Sequence, residues 1–366
     1  VVVVGAGMAG VMSCYYVLKN GTTEVEEENG KGGERPKVVL IDARQLCSGA
    51  TGRNGGHAKI QVKTLLNIED VERREEMAAF VGSVRQELKK VVEEENIECE
   101  FELRRSLDVY TDTEEAETMR RGFEAARKRG EVWTREVAWV GPEMVEQVSS
   151  VKGAKGGFSV PAASFWPYKF VTGLLERMLE RWPGTLNVQM NTPITSLSTA
   201  TNGSHALHSD RGPLHTSTLI LATNAYTSSL LPLFKPLIVP VRGTASHHTP
   251  KSPIHPHLST TYNLNFGPGK GVDYLNPRPD GGIVVGGASW LFAPEKSCWY
   301  NNWDDAHLFP PHLGIGEYWD GHMQERFLGW EESGAVCDGV WTGIMGRTRD
   351  GMPFVGEVPG REGVWV

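Results

Sequence analysis

The chain opens on four consecutive valines, Val1 to Val4, an apolar run too short for a helix core and typical of a buried strand. A glycine turn follows, then a helical stretch from Ala9 to Lys19. The next segment, Thr22 to Pro36, carries Glu24, Glu26, Glu27 and Glu28 among glycines, which predicts a solvated insertion. A second apolar strand covers Val38 to Ile41. Ser48 to His57 is small, polar and glycine-rich and predicts a loop. From Ile68 to Asn96 apolar residues recur at helical spacing (Val71, Met77, Phe80, Val84, Leu88, Val91). Phe101 to Tyr110 predicts a strand pair, and Glu114 to Arg129 a second amphipathic helix. Pro167 stands where a helix starts, ahead of Phe170, Val171, Leu174, Leu175 and Met178. Strands then dominate, near Val188, at Ile194–Leu197, Leu219–Ala222, Leu237–Gly243 and Gly282–Gly287, with one late helix at His322–Glu332. A β-α-β opening followed by many strands predicts an α/β protein, a Rossmann-type nucleotide-binding domain combined with a mixed or antiparallel-sheet domain.

Composition narrows the function. Lys plus Arg is 37 against 45 for Asp plus Glu, a net charge of −8 without a basic block. That argues against nucleic acid or an anionic membrane as partner. No apolar run reaches the roughly 18 residues of a membrane span. Five cysteines (Cys14, Cys47, Cys99, Cys298, Cys337) lack paired spacing and read as reduced thiols of a cytoplasmic protein. The chain starts inside one apolar run and stops inside another, so both ends read as cut, with any targeting signal beyond view.

The chemistry begins at Gly5-Ala6-Gly7-Met8-Ala9-Gly10, a GxGxxG directly after a strand and opening a helix. Gly5 permits the tight turn, Gly7 a close backbone approach to a pyrophosphate, and Gly10 tight helix–strand packing. The helix start offers free N–H groups and a positive dipole end to phosphate. Asp42, at the end of the second strand, is placed to accept both ribose hydroxyls. It lies beyond the usual spacing of about 20 residues, and the Thr22–Pro36 insertion accounts for the excess. The following run, Ala43-Arg44 through Ser48, Thr51, Gly52, Arg53, Asn54, Gly55 and Gly56 to His57, is a donor-rich loop suited to a long cofactor.

That run, Ser-Gly-Ala-Thr-Gly-Arg-Asn-Gly-Gly-His, resembles the D-amino-acid-oxidase-like family of FAD oxidoreductases, which includes glycine and sarcosine oxidases. It looks most like the γ-glutamylputrescine oxidoreductase-type branch. The likeness continues in order through Phe165–Lys169, Asn191–Ile194, Leu221–Tyr226, Pro240–Gly243, Tyr274–Gly282 and Trp341–Pro353. The resemblance implies FAD as cofactor, with Gly5, Gly7, Met8, Ala9, Gly10, Asp42 and Ala43 around the ADP half. Arg44, Ser48, Thr51, Gly52, Arg53, Asn54, Gly55 and Gly56 would line the stretch towards the flavin. Ile194 would touch the adenine, with Ala222 and Thr223 nearby, and Gly343, Gly346, Asp350 and Gly351 would pass beside the ring and ribityl chain. It further implies a discontinuous FAD-binding domain from residues 1–98, 151–235 and 335–366, with 99–150 and 236–334 forming the substrate domain. The family's chain continues past Val366 into a glycine turn and a helix against the flavin.

Four residues are candidates for the substrate side. His57 either moves a proton near the flavin or is a hydrogen-bonded loop histidine. Tyr274 either orients an amine or packs a core. Arg347 and Arg349 either hold a substrate carboxylate or pair with Asp350. His247, His248, His255 and His257 sit among prolines in what reads as an irregular loop, so no metal is expected. The expected activity is oxidation of a small-molecule amine or amino acid, by hydride transfer to flavin N5 with O₂ as acceptor. A flavin dehydrogenase with another acceptor and a flavin monooxygenase remain alternatives.

Overall fold

A computed structural model describes residues 1–21, 35–199, 203–252 and 254–366. Thr22 to Pro36, apart from its last two residues, lies outside the described residues. The opening valines form the strand Val2–Val4 at the centre of a five-stranded sheet. On one side it pairs with Leu219–Leu221 and then Val364–Trp365, on the other with Val38–Ile41 and then Leu186–Gln189, all parallel. Strands covered on both faces are apolar throughout, which is why Val2–Val4, Val38–Ile41 and Leu219–Leu221 read as unbroken hydrophobic runs, whereas Leu186–Gln189 at the sheet edge alternates with exposed Asn187.

Met8–Lys19 and Pro167–Arg181 are the helices that cover this sheet. Pro167 occupies the first turn of the second, where its missing N–H costs nothing. Phe170, Leu174 and Met178 recur four residues apart and are buried with Val11, Tyr15 and Leu18 of the first helix. The long helix begins at Val71 and runs to Glu94, with Asp70 capping it by accepting from the Arg73 N–H. Two members of its expected apolar stripe, Val71 and Phe80, face solvent.

A nine-stranded sheet makes the second layer, mixed but largely antiparallel. Its order is Val336–Arg347, Val239–Thr249, Ile283–Gly287, Val272–Pro277, Thr261–Asn265, Glu102–Tyr110, Gly156–Ser164 and His57–Ala58, with Ala138–Val140 also on Gly156–Ser164. The one parallel pairing joins Thr261–Asn265 to Glu102–Tyr110. Three of these strands, His57–Ala58, Gly156–Ser164 and Val336–Arg347, lie in segments expected to build the nucleotide domain. A small antiparallel sheet joins Ser196–Thr199, His205–Ser209 and Gly212–Thr216.

The expected strand pair at Phe101–Tyr110 is one strand, Glu102–Tyr110, held between two neighbours and therefore buried over its second half. Its partner Gly156–Ser164 escaped the hydrophobic pattern because small residues and Pro161 surround its two large apolar ones, Phe158 and Val160. The late helix spans only His322–Arg326. It stops because Phe327 turns extended (φ −119°, ψ 136°) to bridge to Val151, and Gly329 beyond it turns again with φ +80°. Phe327 and Trp330 then bury in the second core as an irregular turn. Ser48–His57 is more ordered than a loop, with a short 3₁₀ turn at Ala50–Arg53 and a strand at its end.

Candidate active site

At the carboxyl end of Val2–Val4 the chain turns at Gly5, whose φ of +107° no other residue adopts easily, and whose Cβ would lie 2.3 Å from the Ala222 carbonyl oxygen. Gly10 is tighter still, since a Cβ there would stand 1.8 Å from the Gly5 oxygen. Gly7 opens the helix without a side-chain cap, and the first helical turn carries no acid. A Cβ on Gly7 would meet the Thr51 hydroxyl at 2.8 Å, and that hydroxyl accepts from the Met8 N–H at 3.0 Å. Asp42 is fixed by accepting from the Ala6 N–H at 2.7 Å and the Arg44 N–H at 2.8 Å, one bond on each carboxylate oxygen. Each oxygen keeps further acceptor capacity.

These groups share a cavity of about 1410 Å³ that runs on to the nine-stranded sheet. Gly5, Gly7, Met8, Ala9, Asp42, Ala43, Arg44, Ser48, Thr51, Arg53, Asn54, Ile194, Ala222, Thr223, Gly343, Gly346, Arg347, Gly351 and Tyr274 all line it. The expected cofactor residues absent from that wall act on the backbone. Gly10 and Gly56 allow close chain crossings, a Cβ on Gly56 lying 2.0 Å from the Phe165 carbonyl oxygen, and Gly52 and Gly55 face a second cavity. Asp350 lines neither cavity and accepts from the Met352 N–H in a surface turn.

Arg53 lines the cavity and also has a structural task. Its guanidinium donates to the carbonyls of Ser48, Asp305 and Thr342 at 3.0, 2.7 and 2.8 Å, so it clamps the loop to the long strand Val336–Arg347. The Trp341 indole returns a bond to the Arg53 carbonyl at 2.8 Å. Arg44 pairs with Asp305 at 2.7 Å and stacks over Tyr226. Asp305 comes from a distant irregular segment, and nothing local in the sequence marks it. Asn224 was also missed; it holds the left-handed conformation (φ 50°) and exchanges bonds with the Gly346 N–H and the Ile344 carbonyl. An Asn just past a strand end, in Thr-Asn-Ala-Tyr, is the signal that could have found it.

On the substrate side the structure separates the four candidates. Tyr274 lines the cavity. Its ring lies over two glycines: a Cβ on Gly55 or on Gly286 would come within 2.5 or 2.1 Å of it. Its hydroxyl makes no hydrogen bond among the described residues, and burial, then the Asp273 carboxylate, pushes its pKa up to about 12. His57 does not reach either cavity. It is packed edge-on behind Tyr274 at 5.3 Å, because pairing with Ser164 turns it into the sheet interior. Burial, with Lys59 and Arg104 nearby, holds its pKa well below the usual imidazole range, so it stays neutral. Arg347 is exposed on the cavity rim, whereas Arg349 is exposed and lines neither cavity; neither pairs with Asp350 among the described residues.

Behind Tyr274, Asp273 is fully buried and accepts from the Ala288 N–H at 2.8 Å and the Tyr318 hydroxyl at 2.5 Å. Burial raises its pKa to about 6. Among the described residues no cluster of His, Cys, Asp or Glu could hold a metal, and no helix is long and apolar enough to cross a membrane.

An uncapped helix start, glycines that leave no room for a Cβ, and a fixed carboxylate at the neighbouring strand end suit a dinucleotide's pyrophosphate and ribose. The cavity is long enough to reach from there to the sheet. The model of the family described as DAO, FAD dependent oxidoreductase, matches residues 1–366. No curated protein matches the sequence. Among solved structures, glycine oxidase from Geobacillus kaustophilus superposes with a TM-score of 0.71 at 17% identity, over 100% of this chain and 87% of that one. L-proline dehydrogenase from P. horikoshii gives 0.71 at 18%, over 100% and 86%. Iminodiacetate oxidase from Chelativorans sp. BNC1 gives 0.68 at 16%, over 100% and 88%. At these identities the likeness is one of fold.

Proposed function

The chain belongs to the DAO family of FAD-dependent oxidoreductases, with FAD as its cofactor, and on that premise we propose that it oxidises an amine or amino acid beside Tyr274. The observation that carries the reading is the continuity of one cavity from the glycine turn and Asp42 to the unpartnered Tyr274 hydroxyl. Glycine oxidase, L-proline dehydrogenase and iminodiacetate oxidase, all similar in fold, are named for substrates of this kind.

In this reading the helix start at Gly7 to Gly10 holds the pyrophosphate and Asp42 the ribose hydroxyls, with Ile194 at the adenine. The loop from Ser48 to Asn54 and the backbone at Gly343 and Gly346 flank the rest, and Arg347 at the rim meets a substrate carboxylate where there is one. When bound, FAD supplies the acceptor for the hydride that leaves the carbon bearing the amine. Tyr274 orients that amine through its hydroxyl, which stays protonated at neutral pH and can both donate and accept. Apolar neighbours such as Phe292, Trp299 and Trp341 exclude water and favour the neutral amine. Water hydrolyses the imine product to carbonyl compound and amine. Dioxygen takes the two electrons and two protons, giving hydrogen peroxide.

Anaerobic mixing of the FAD-loaded protein with primary amines, N-methyl amino acids, and L- and D-amino acids including proline tests this. Bleaching of the flavin by one class, and peroxide on admitting air, is the expected result. A flavin that no member reduces would refute the reading, and reduction without peroxide would replace O₂ with another acceptor.

A further inference from the structure

A second cavity, of about 540 Å³, lies against the first. Thr51, Arg53, Asn54 and Trp341 line both, so this short loop and one indole form the partition between them. The far walls come from the start of the Glu102–Tyr110 strand, the residues opening the Pro167–Arg181 helix, and the end of the Val272–Pro277 strand.

The charges on these walls do not balance. Arg104 and Arg278 are largely buried, their side chains 11% and 15% exposed. The one carboxylate on the wall, Glu100, is shared between Arg278 at 3.0 Å and Lys169 at 3.2 Å. Arg104 finds its acid in Glu102, which is half exposed and lies outside the cavity, and its other bond is a long one, 3.3 Å to the Pro277 carbonyl. The Nε atoms of Arg104 and Arg278 are buried and make no hydrogen bond among the described residues, Arg278 Nε standing 3.7 Å from the carboxylate of the exposed Asp280; Oδ1 of Asn276, whose Nδ2 donates to the Gly55 carbonyl, accepts none either. A guanidinium cannot shed its proton, so a buried one without adequate counter-charge favours an anion. Aromatic surface lies beside these cations: Arg278 stacks on Trp166 at 4.0 Å, and Phe165, Tyr168 and Trp341 complete the wall. The volume is within the range of small-molecule sites.

We propose that this cavity is a second ligand site, separate from the amine-oxidising one, that takes an aromatic carboxylate, with Arg104 and Arg278 meeting the carboxylate and Trp166 the ring. Arginine matches a carboxylate in plane and offers paired N–H donors. Because the partition loop also lines the flavin cavity, occupancy perturbs the flavin spectrum. The inference goes beyond the proposed reaction and stands whether or not an amine is the substrate.

Benzoate is the probe, titrated into the FAD-loaded protein by calorimetry and by flavin difference spectroscopy. The expected result is a single site whose dissociation constant rises at least tenfold in Arg104→Met and in Arg278→Met, with flavin content intact, and stays unchanged in Tyr274→Phe. Benzamide, of the same shape without the charge, should bind the unaltered protein at least tenfold more weakly than benzoate, which tests the idea even if a variant fails to fold. Equal affinity for benzamide, no heat with benzoate, or benzoate binding that is weakened by Tyr274→Phe and not by the arginine variants would each overturn it.

Discussion

Tyr274 owes its place to what its neighbours lack, because the ring fits only over two positions without a Cβ, Gly55 and Gly286. Removing its hydroxyl while keeping the ring should leave that packing alone. Tyr274→Phe is therefore expected to keep full flavin content and to lose about 3- to 10-fold in kcat/KM, the value of one neutral hydrogen bond; steady-state kinetics beside flavin absorbance check this. Asp42 and Arg53 should behave differently from each other. Asp42→Ala loses its proposed ribose bonds, about 1.5–3 kcal/mol, and should weaken FAD binding by roughly 10- to 150-fold. Arg53→Met removes three bonds to backbone carbonyls, so it should lower stability as well as flavin retention, which thermal melts of the FAD-free protein would report. At this scale the glycines and Asp42 were legible in the sequence because each answers a local steric or strand-end demand. Asp305 was not, since its partner Arg44 lies far away along the chain. The orientation of His57 was equally hidden, because it depends on Ser164 across a strand pair that small residues concealed.

Among the elements, the long Val71–Glu94 helix is tied down by one buried ion pair. Arg74 meets both oxygens of Glu131 at 2.9 Å, and Trp133 donates to the same carboxylate at 2.7 Å. Neither residue lines a cavity. Arg74→Met leaves the buried Glu131 carboxylate to Trp133 and to Arg129 at 2.7 Å, so a loss of about 1–3 kcal/mol is expected, with the flavin spectrum of the folded protein unchanged; denaturant unfolding measures it. The Val239–Thr249 strand carries His248, whose pKa burial, then His247, lowers to about 4. The unfolded chain protonates this imidazole near pH 6.5 and the folded one does not, so stability is lost as pH falls from about 6.5 to about 4, by up to about 3 kcal/mol. His248→Gln should flatten that part of an unfolding-versus-pH curve. Asp273 works in the opposite sense: with its pKa raised to about 6, its ionisation costs stability as pH rises from about 4 to 6. Comparing the variant with the parent at each pH isolates the histidine. The helices at Met8–Lys19 and Pro167–Arg181 were legible from their spacing and the proline. The strand at Gly156–Ser164 was not, because only Phe158 and Val160 carry a strong strand signal there, among glycines, serines, alanines and Pro161.

At the scale of the molecule, the large cavity draws its walls from residues as far apart as Val4 and Val366. Free FAD binds only the folded chain, so adding it at about 100 times its dissociation constant should stabilise the protein by roughly 2.7 kcal/mol. A rise in melting temperature with FAD and none with FMN or NAD is the expected outcome. The class of fold and its cofactor were readable from the order of motifs, whereas the sheet assignment of His57–Ala58 and Val336–Arg347 was not, since pairing across the chain decides it.

The order of the parallel sheet has a further consequence during synthesis. Val2–Val4 and Val38–Ile41 leave the ribosome before the other strands of this sheet and can pair first. Leu186–Gln189 and Leu219–Leu221, which flank that pair, start only 145 and 178 positions after Ile41. Until then two apolar edges stand open, a state that invites intermolecular pairing. Cover of those edges by the Met8–Lys19 helix or by a chaperone would guard the nascent chain over that interval, and the cofactor can contribute nothing until it ends.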